Sequence, residues 1–356
     1  IHSFRGIPPA GYARGMVLGL LRFLGMAGVS SGGTTVLICI IDGLQSDAAK
    51  AAAAGGAANL KFLIENGVTV EEAYSTSPAP RMTLPDGSLP WGTTTSANVS
   101  IHTGTHVFES RNMDDIFLSA RRAGIKSVFA GGAGNYSEFT TPDFHYYGRL
   151  SDSVVVQYGI DQFRRDGARL IRLHLQQIRN GWSGPEEKLN PDSAYQKAIR
   201  NADALLGKFI QALKSEGVWD STYIITAADH GMGNSRSSEH PPSVASSWSI
   251  FMNFYGPGIR KGAVIPYAET PDIALMAAYF LHLEPLLGHT DPAVTVVPKG
   301  TTGTFLWNIF EGNRSVVEHP RFIRRYLESK EWKPSNEYAE YRLAMLAFMK
   351  EYFSKK

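Results

Sequence analysis

The sequence predicts a layered α/β fold in which a mostly parallel central sheet carries helices on both faces. Three observations point there. Thr35 to Ile41 (TVLICII) is an unbroken run of apolar and β-branched residues, the pattern of a strand buried on both faces. Four further runs have strand composition: Lys126 to Ala130, Leu170 to Leu175, Thr222 to Ala228 and Ser249 to Phe254. Helical periodicity fills the gaps between them, and alternation of the two kinds of element is the mark of α/β layers. With 356 residues, 43% of them hydrophobic, there is enough apolar surface for one large core or two ordinary ones.

The helices expected are Ala57 to Asn66, Asp114 to Ala123, Asp192 to Glu216 and Pro271 to Leu283. The third has the clearest apolar stripe: Ala194, Ala198, Ala202, Leu205, Leu206, Phe209 and Leu213 recur three and four residues apart. Thr93 to Gly104 (TTTSANVSIHTG) reads as a shorter helix that begins at hydroxyl residues and stops at glycine. Ser77 to Trp91 is Pro-rich and reads as a loop over the sheet, as does Ala133 to Val156. Residues Gly15 to Val29 form a hydrophobic stretch interrupted by Arg22, too short for a membrane span. A helix packed on the domain is the simplest account of it; contact with a membrane surface or a second copy is the alternative. Its resemblance to a signal-peptide core leans the location towards extracytoplasmic or periplasmic, with the compartment left open. The organisation expected is an extension over 1–33, one domain over 34–300 and a helical C-terminal appendage over 301–356.

Composition narrows the chemistry. Lys+Arg number 35 against 33 Asp+Glu, a net charge of +2, so nothing suggests a nucleic-acid polymer held through its phosphates. The one cysteine, Cys39, cannot form an internal disulfide, and any metal must be held by the ten histidines and the carboxylates. Ligands in open parallel sheets collect at the carboxyl ends of strands. Two strands end there in Asp: Ile41-Asp42-Gly43, and Asp229-His230-Gly231. Either Asp alone is explained as a cap for the next helix; together they supply three ligands suited to Zn²⁺ or a similar divalent ion. The threonines at the start of Thr93 to Gly104 either cap that helix or offer a nucleophilic oxygen where its N-terminus favours an anion. His240, in a polar loop ten residues after His230, is either a solvated histidine or a further ligand.

These pieces, in this order, resemble the alkaline phosphatase superfamily, in particular its nucleotide pyrophosphatase/phosphodiesterase-like branch, from about Thr35 to Asp291. The resemblance implies an alkaline phosphatase-like catalytic domain that hydrolyses phosphate esters with one or two divalent ions. It implies that Asp42, Asp229 and His230 hold one ion and that Thr94, ten residues before Gly104, is the nucleophile. Thr83, in Met82-Thr83-Leu84-Pro85-Asp86, ranks second, because Pro90 follows too soon for a good helix. His240 matches the distant histidine of the family's second ion, and Asn112 stands a few residues short of an Asn that contacts a phosphoryl oxygen, with a turn-forming Asn as the alternative.

The second ion should also find an Asp and, four residues later, a His after the strand Leu170 to Leu175. Here Gln177 holds the Asp position and Gly181 or Trp182 that of His. Arg179 is the residue in that turn able to hold phosphoryl oxygens instead. His174, Asp143 and His145 are the alternatives for rebuilding the second site. The reading is a hydrolase of small-molecule phosphate esters that passes through a phosphothreonine. The alternative is a degenerate or reassigned member acting as a binding protein or phosphotransferase. A sulfatase is disfavoured, since no Cys/Ser-x-Pro-x-Arg context stands near the threonines.

Overall fold

The computed structural model describes residues 33–76, 93–106, 114–132, 141–235, 240–241, 244–283, 303–312, 319 and 321–329, with the side chains of 93–96, 322, 325 and 326 outside the described set. The expectations for residues 1–32, Thr83, Asn112 and the loop 77–91 fall outside it. The strands are β1 Thr35–Ile41, β2 Val68–Tyr74, β3 Ser127–Gly131, β4 Phe144–Tyr147, β5 Leu170–Leu175, β6 Thr222–Ala227, β7 Ser249–Ile250, β8 Met252–Tyr255 and β9 Ala263–Glu269. The helices are α1 Ser46–Ala54, α2 Ala58–Asn66, α3 Thr93–Thr103, α4 Ile116–Arg122, α5 Asp152–Asp166, α6 Ala194–Ser215, α7 Asp272–Phe280 and α8 Phe322–Ser329.

All nine strands join one sheet in the order β4-β3-β5-β1-β6-β8-β2-β7, with β9 on β2. Pairing is parallel from β4 through β6 and again between β2 and β9; β8 and β7 run antiparallel to their neighbours. The central strand β1 is buried along its whole length, as its unbroken apolar run requires when helices cover both faces. Helix α6 presents Ile199, Leu206, Phe209 and Leu213 to the core. Its first turn is fixed by Ser193, whose hydroxyl accepts the Gln196 amide hydrogen at 3.0 Å.

Two expectations needed correction. The strand foreseen over Ser249 to Phe254 is interrupted at Phe251, because the Phe251 N–H donates to the Leu44 carbonyl at 2.9 Å instead of to a strand. The loop foreseen over Ala133 to Val156 contains, in its described part, the edge strand β4 and the start of α5. Val155, Val156, Gly159, Ile160 and Phe163 give α5 its buried face.

Residues 303–312 return to the same core: Phe305, Leu306, Ile309 and Phe310 are buried, and Arg260 N–H donates to Ile309 O at 2.9 Å. Residues 319 and 323 are held by carboxylates at the end of β9 and the start of α7. Glu269 accepts the Ile323 N–H at 2.8 Å and the Tyr267 hydroxyl at 2.6 Å, and lies 2.5 Å from His106 Nε2. Asp272 lies 3.0 Å from His319 Nε2. No helix among the described residues is long and apolar enough to cross a membrane.

Candidate metal centre

Asp42 is the residue after β1, and Asp229 and His230 follow β6. Since β1 and β6 are parallel neighbours, these side chains emerge side by side at the carboxyl edge, and all three are fully buried. Gly43 turns the chain behind Asp42 with φ +76°, a conformation glycine adopts without strain. The His230 ring is oriented by its Nδ1–H, which donates to the Gly231 carbonyl at 2.9 Å. Its Nε2 lone pair therefore faces Asp42 Oδ1 at 3.3 Å and Asp229 Oδ2 at 3.8 Å. Asp229 is held in turn: its Oδ1 accepts the His230 N–H at 3.1 Å, and its backbone carbonyl accepts the Ser75 hydroxyl.

Three buried atoms in this cluster lack a hydrogen-bond partner among the described residues: Asp42 Oδ1, Asp229 Oδ2 and His230 Nε2. Buried carboxylate oxygens without partners are costly. Here one ligand atom from each residue lies within 4.8 Å of the other two. One cation between them would satisfy all three, and an oxygen and imidazole donor set fits a Zn²⁺-like ion. The electrostatics agree. Burial raises the Asp42 carboxyl, but His230, His174 and Arg179 outweigh it and hold the pKa down at about 2. Burial opposes charge on His230, and the carboxylates of Asp229 and Asp42 overcome it and raise its pKa.

The turn expected to supply the second ion's ligands is otherwise engaged. The turn Gln177–Gly181 follows β5. The Gln177 side chain is turned to α5, where its Oε1 accepts the Asp152 N–H at 2.8 Å, while the Asp152 carboxylate accepts the N–H groups of Gln176 and Gln177 at 2.8 and 3.1 Å. A Cβ on Gly181 would lie 2.6 Å from the carbonyl of Ala194, so this backbone admits no side chain there, imidazole included. Trp182 is buried edge-on against Tyr195, 5.0 Å between ring centroids, and the Tyr195 hydroxyl donates to Gly43 O at 2.7 Å. The turn thus supports the Asp42-Gly43 corner from beneath. Its one side chain aimed at the centre is Arg179, with Nη1 3.9 Å from Asp42 Oδ2.

The remaining residues divide. Thr94 is the second residue of α3. His240 lies beside His230, 4.2 Å between ring centroids, and burial, then the neighbouring His230, lowers its pKa to about 4. Asp143 and His145 do not rebuild a second site. Asp143 accepts the Ser127 N–H at 2.8 Å, at the amino end of β3, and His145 stacks on Tyr147 at 5.1 Å. Cys39 sits within β1, where burial pushes its thiol up to about 12, so it is no nucleophile.

His174, by sequence an alternative for the second site, stands instead at the first centre. His174 Nε2 is 3.5 Å from Asp42 Oδ2 and 3.8 Å from Asp229 Oδ2. Its Nδ1 is 3.2 Å from Asn98 Oδ1, which also accepts from Arg172 Nη2. Arg172 is fully buried, with its guanidinium 4.8 Å over the Phe129 ring. The signal was in the strand Leu170-Ile171-Arg172-Leu173-His174-Leu175: a charged residue and a histidine two apart share one face of a strand too apolar to be exposed.

Comparison with known proteins agrees with this architecture. Residues 129–260 match the sulfatase family; no curated protein matches the sequence. Murine ectonucleotide pyrophosphatase/phosphodiesterase 5 superposes with a TM-score of 0.51 at 15% identity, covering 70% of this chain and 95% of that one. The phosphonate monoester hydrolase of Agrobacterium radiobacter gives 0.55 at 15% identity, covering 80% and 78%. The lipoteichoic acid synthase LtaP of Listeria monocytogenes gives 0.50 at 16% identity, covering 70% and 72%. The match to the sulfatase family is confined to residues 129–260, and the solved neighbours share the fold of this chain.

Proposed function

We propose that this domain is a metal-dependent hydrolase of small-molecule phosphate esters with Thr94 as nucleophile. The observation that carries it is the buried Asp42, Asp229 and His230 cluster, whose unpartnered atoms converge at the edges of β1 and β6. A Zn²⁺-like ion held by these residues and Thr94 would polarise the reacting oxygens as a Lewis acid.

Thr94 stands one helical turn before Asn98, so the two positions share a face of α3, and Asn98 meets His174 beside the cluster. In this reading the Thr94 Oγ forms a bond to phosphorus as the ester oxygen departs with the bonding electrons and takes up a proton. Water then cleaves the phosphothreonine and returns a proton to Thr94. The α3 N-terminus favours the negative charge of the phosphoryl group. Arg179 holds the non-bridging oxygens, a task suited to a planar guanidinium but without Lewis-acid activation. His240 borders the same space, and Asn112 keeps the phosphoryl contact that the family resemblance gives it. The murine neighbour was captured with AMP as an inactive variant in which alanine replaces a threonine, which supports both the threonine and the substrate class.

The filled turn at Gln177 to Trp182 favours a second reading, a binding protein or phosphotransferase built on the same fold. Metal content and release of p-nitrophenol from mono- and diesters separate the two. Bound metal with turnover that Thr94→Ala abolishes supports the hydrolase. No metal and no turnover above the Thr94→Ala background leaves the binding reading.

A further inference from the structure

We infer that His174 joins Asp42, Asp229 and His230 as a protein ligand of the ion, in addition to the Thr94 of the reading above, with Asn98 fixing the His174 ring. The inference rests on the metal reading above and extends it to a residue outside the family pattern.

The ring orientation follows from Arg172. A guanidinium cannot accept a hydrogen bond, so the Asn98 atom that meets Arg172 Nη2 is the amide oxygen. That oxygen only accepts, and of the two contacts at His174 Nδ1 it is the nearer, 3.2 Å against 3.5 Å to Arg172 Nη2, so Nδ1 is assigned the hydrogen. His174 Nε2 thus faces the carboxylates, as His230 Nε2 does through its own Nδ1–H bond to Gly231. Both rings have the outer hydrogen bond that sets the tautomer of a metal-bound histidine.

His174 stands outside the set of three whose ligand atoms lie within 4.8 Å of one another, but its Nε2 approaches both carboxylates. Asp229 Oδ2 is 3.8 Å from both Nε2 atoms, and Asp42 meets His230 with Oδ1 at 3.3 Å and His174 with Oδ2 at 3.5 Å. Ligand atoms roughly 2.0–2.2 Å from one ion lie roughly 3 Å apart, a spacing that the two Asp42 contacts at 3.3 and 3.5 Å approach. Two carboxylates balance a divalent charge, and two imidazoles select a borderline ion such as Zn²⁺ or Co²⁺ over Mg²⁺ or Ca²⁺. Because Asn98 belongs to α3, the ring that it orients ties the ion to the helix that carries Thr94.

Calorimetric Zn²⁺ titration of chelator-treated full-length protein, with Co²⁺ absorption spectra, tests this. His174→Gln is expected to weaken binding at least ~100-fold and to alter the Co²⁺ visible bands. Asn98→Ala is expected to weaken binding about 10–100-fold with the stoichiometry kept. A folded His174→Gln protein that binds Zn²⁺ as the wild type does overturns the inference and leaves the hydrolase reading standing. Wild type that binds no metal overturns both. Should His174→Gln not fold, zinc-edge X-ray absorption of the His240→Ala protein decides: two imidazoles support the assignment, and one overturns it.

Discussion

Arg179 Nη1 stands 3.9 Å from Asp42 Oδ2, on a turn that buries Ile178. Gln177 is bonded to α5 and Trp182 is buried against Tyr195, so a cation of the chain's own borders the metal centre where the family resemblance implies a second ion. Arg179→Ala is expected to leave metal content unchanged and to lower kcat/KM for a phosphate ester by ~10²–10³, the scale for loss of one donor to developing negative charge. Arg179→Lys should recover part of it, because charge is kept and the planar fork is lost. Steady-state kinetics with metal analysis check this; an Arg179→Ala enzyme of wild-type kcat/KM contradicts it.

Restoring the family's residues should not restore a second ion. In the Gln177→Asp/Gly181→His protein the new side chain at 181 meets the Ala194 carbonyl. The variant is expected to lose about 1–3 kcal/mol of stability, as overpacked sites do, and to bind no additional Zn²⁺. Urea denaturation and metal analysis of the purified variant measure both quantities, and a stable protein with an extra ion would refute the packing argument.

Most of the sheet was legible because its central strands announce themselves. β1 and β5 are apolar runs bounded by turn residues, and their ends coincide with the expected ones. β2 escaped because Glu71 and Glu72 interrupt its pattern; Glu71 is exposed there, and Arg324 meets Glu72 at 2.6 Å. Asp42, Asp229 and His230 were legible because position at a strand end is a local property. His174 was legible as a buried histidine but not in its place, because that comes from Asn98 and Arg172, and no sequence pattern ties residue 98 to residue 172. The closing of the second site was half legible. The sequence shows that Gln177 and Gly181 cannot be ligands, and only the structure shows that Gly181 is required by the approach of α6.

Glu269 ties His106, Tyr267 and the chain at Ile323 together. Burial raises its carboxyl, but His106, with His319 and Tyr267, outweighs it and holds the pKa at about 2 against an ordinary 4.5. A depressed carboxylate stabilises fully above the unfolded value, and that contribution is lost as pH falls from 4.5 towards 2. Glu269→Gln is therefore expected to cost about 3–5 kcal/mol at neutral pH, the usual result of breaking a buried pair, with the gap to wild type narrowing below pH 4.5. Denaturation midpoints across that range measure it; a gap that does not narrow assigns the loss to packing.

The central claim is that Thr94 is phosphorylated during turnover at a metal centre built on Asp42, Asp229 and His230. Acid quenching of the zinc-loaded enzyme during turnover of a phosphate monoester, followed by mass spectrometry, tests it most directly. The account predicts phosphate on Thr94 in the wild type and on no residue of the Asp229→Asn protein. Turnover with no phosphate on Thr94, or undiminished turnover by Thr94→Ala, would contradict it.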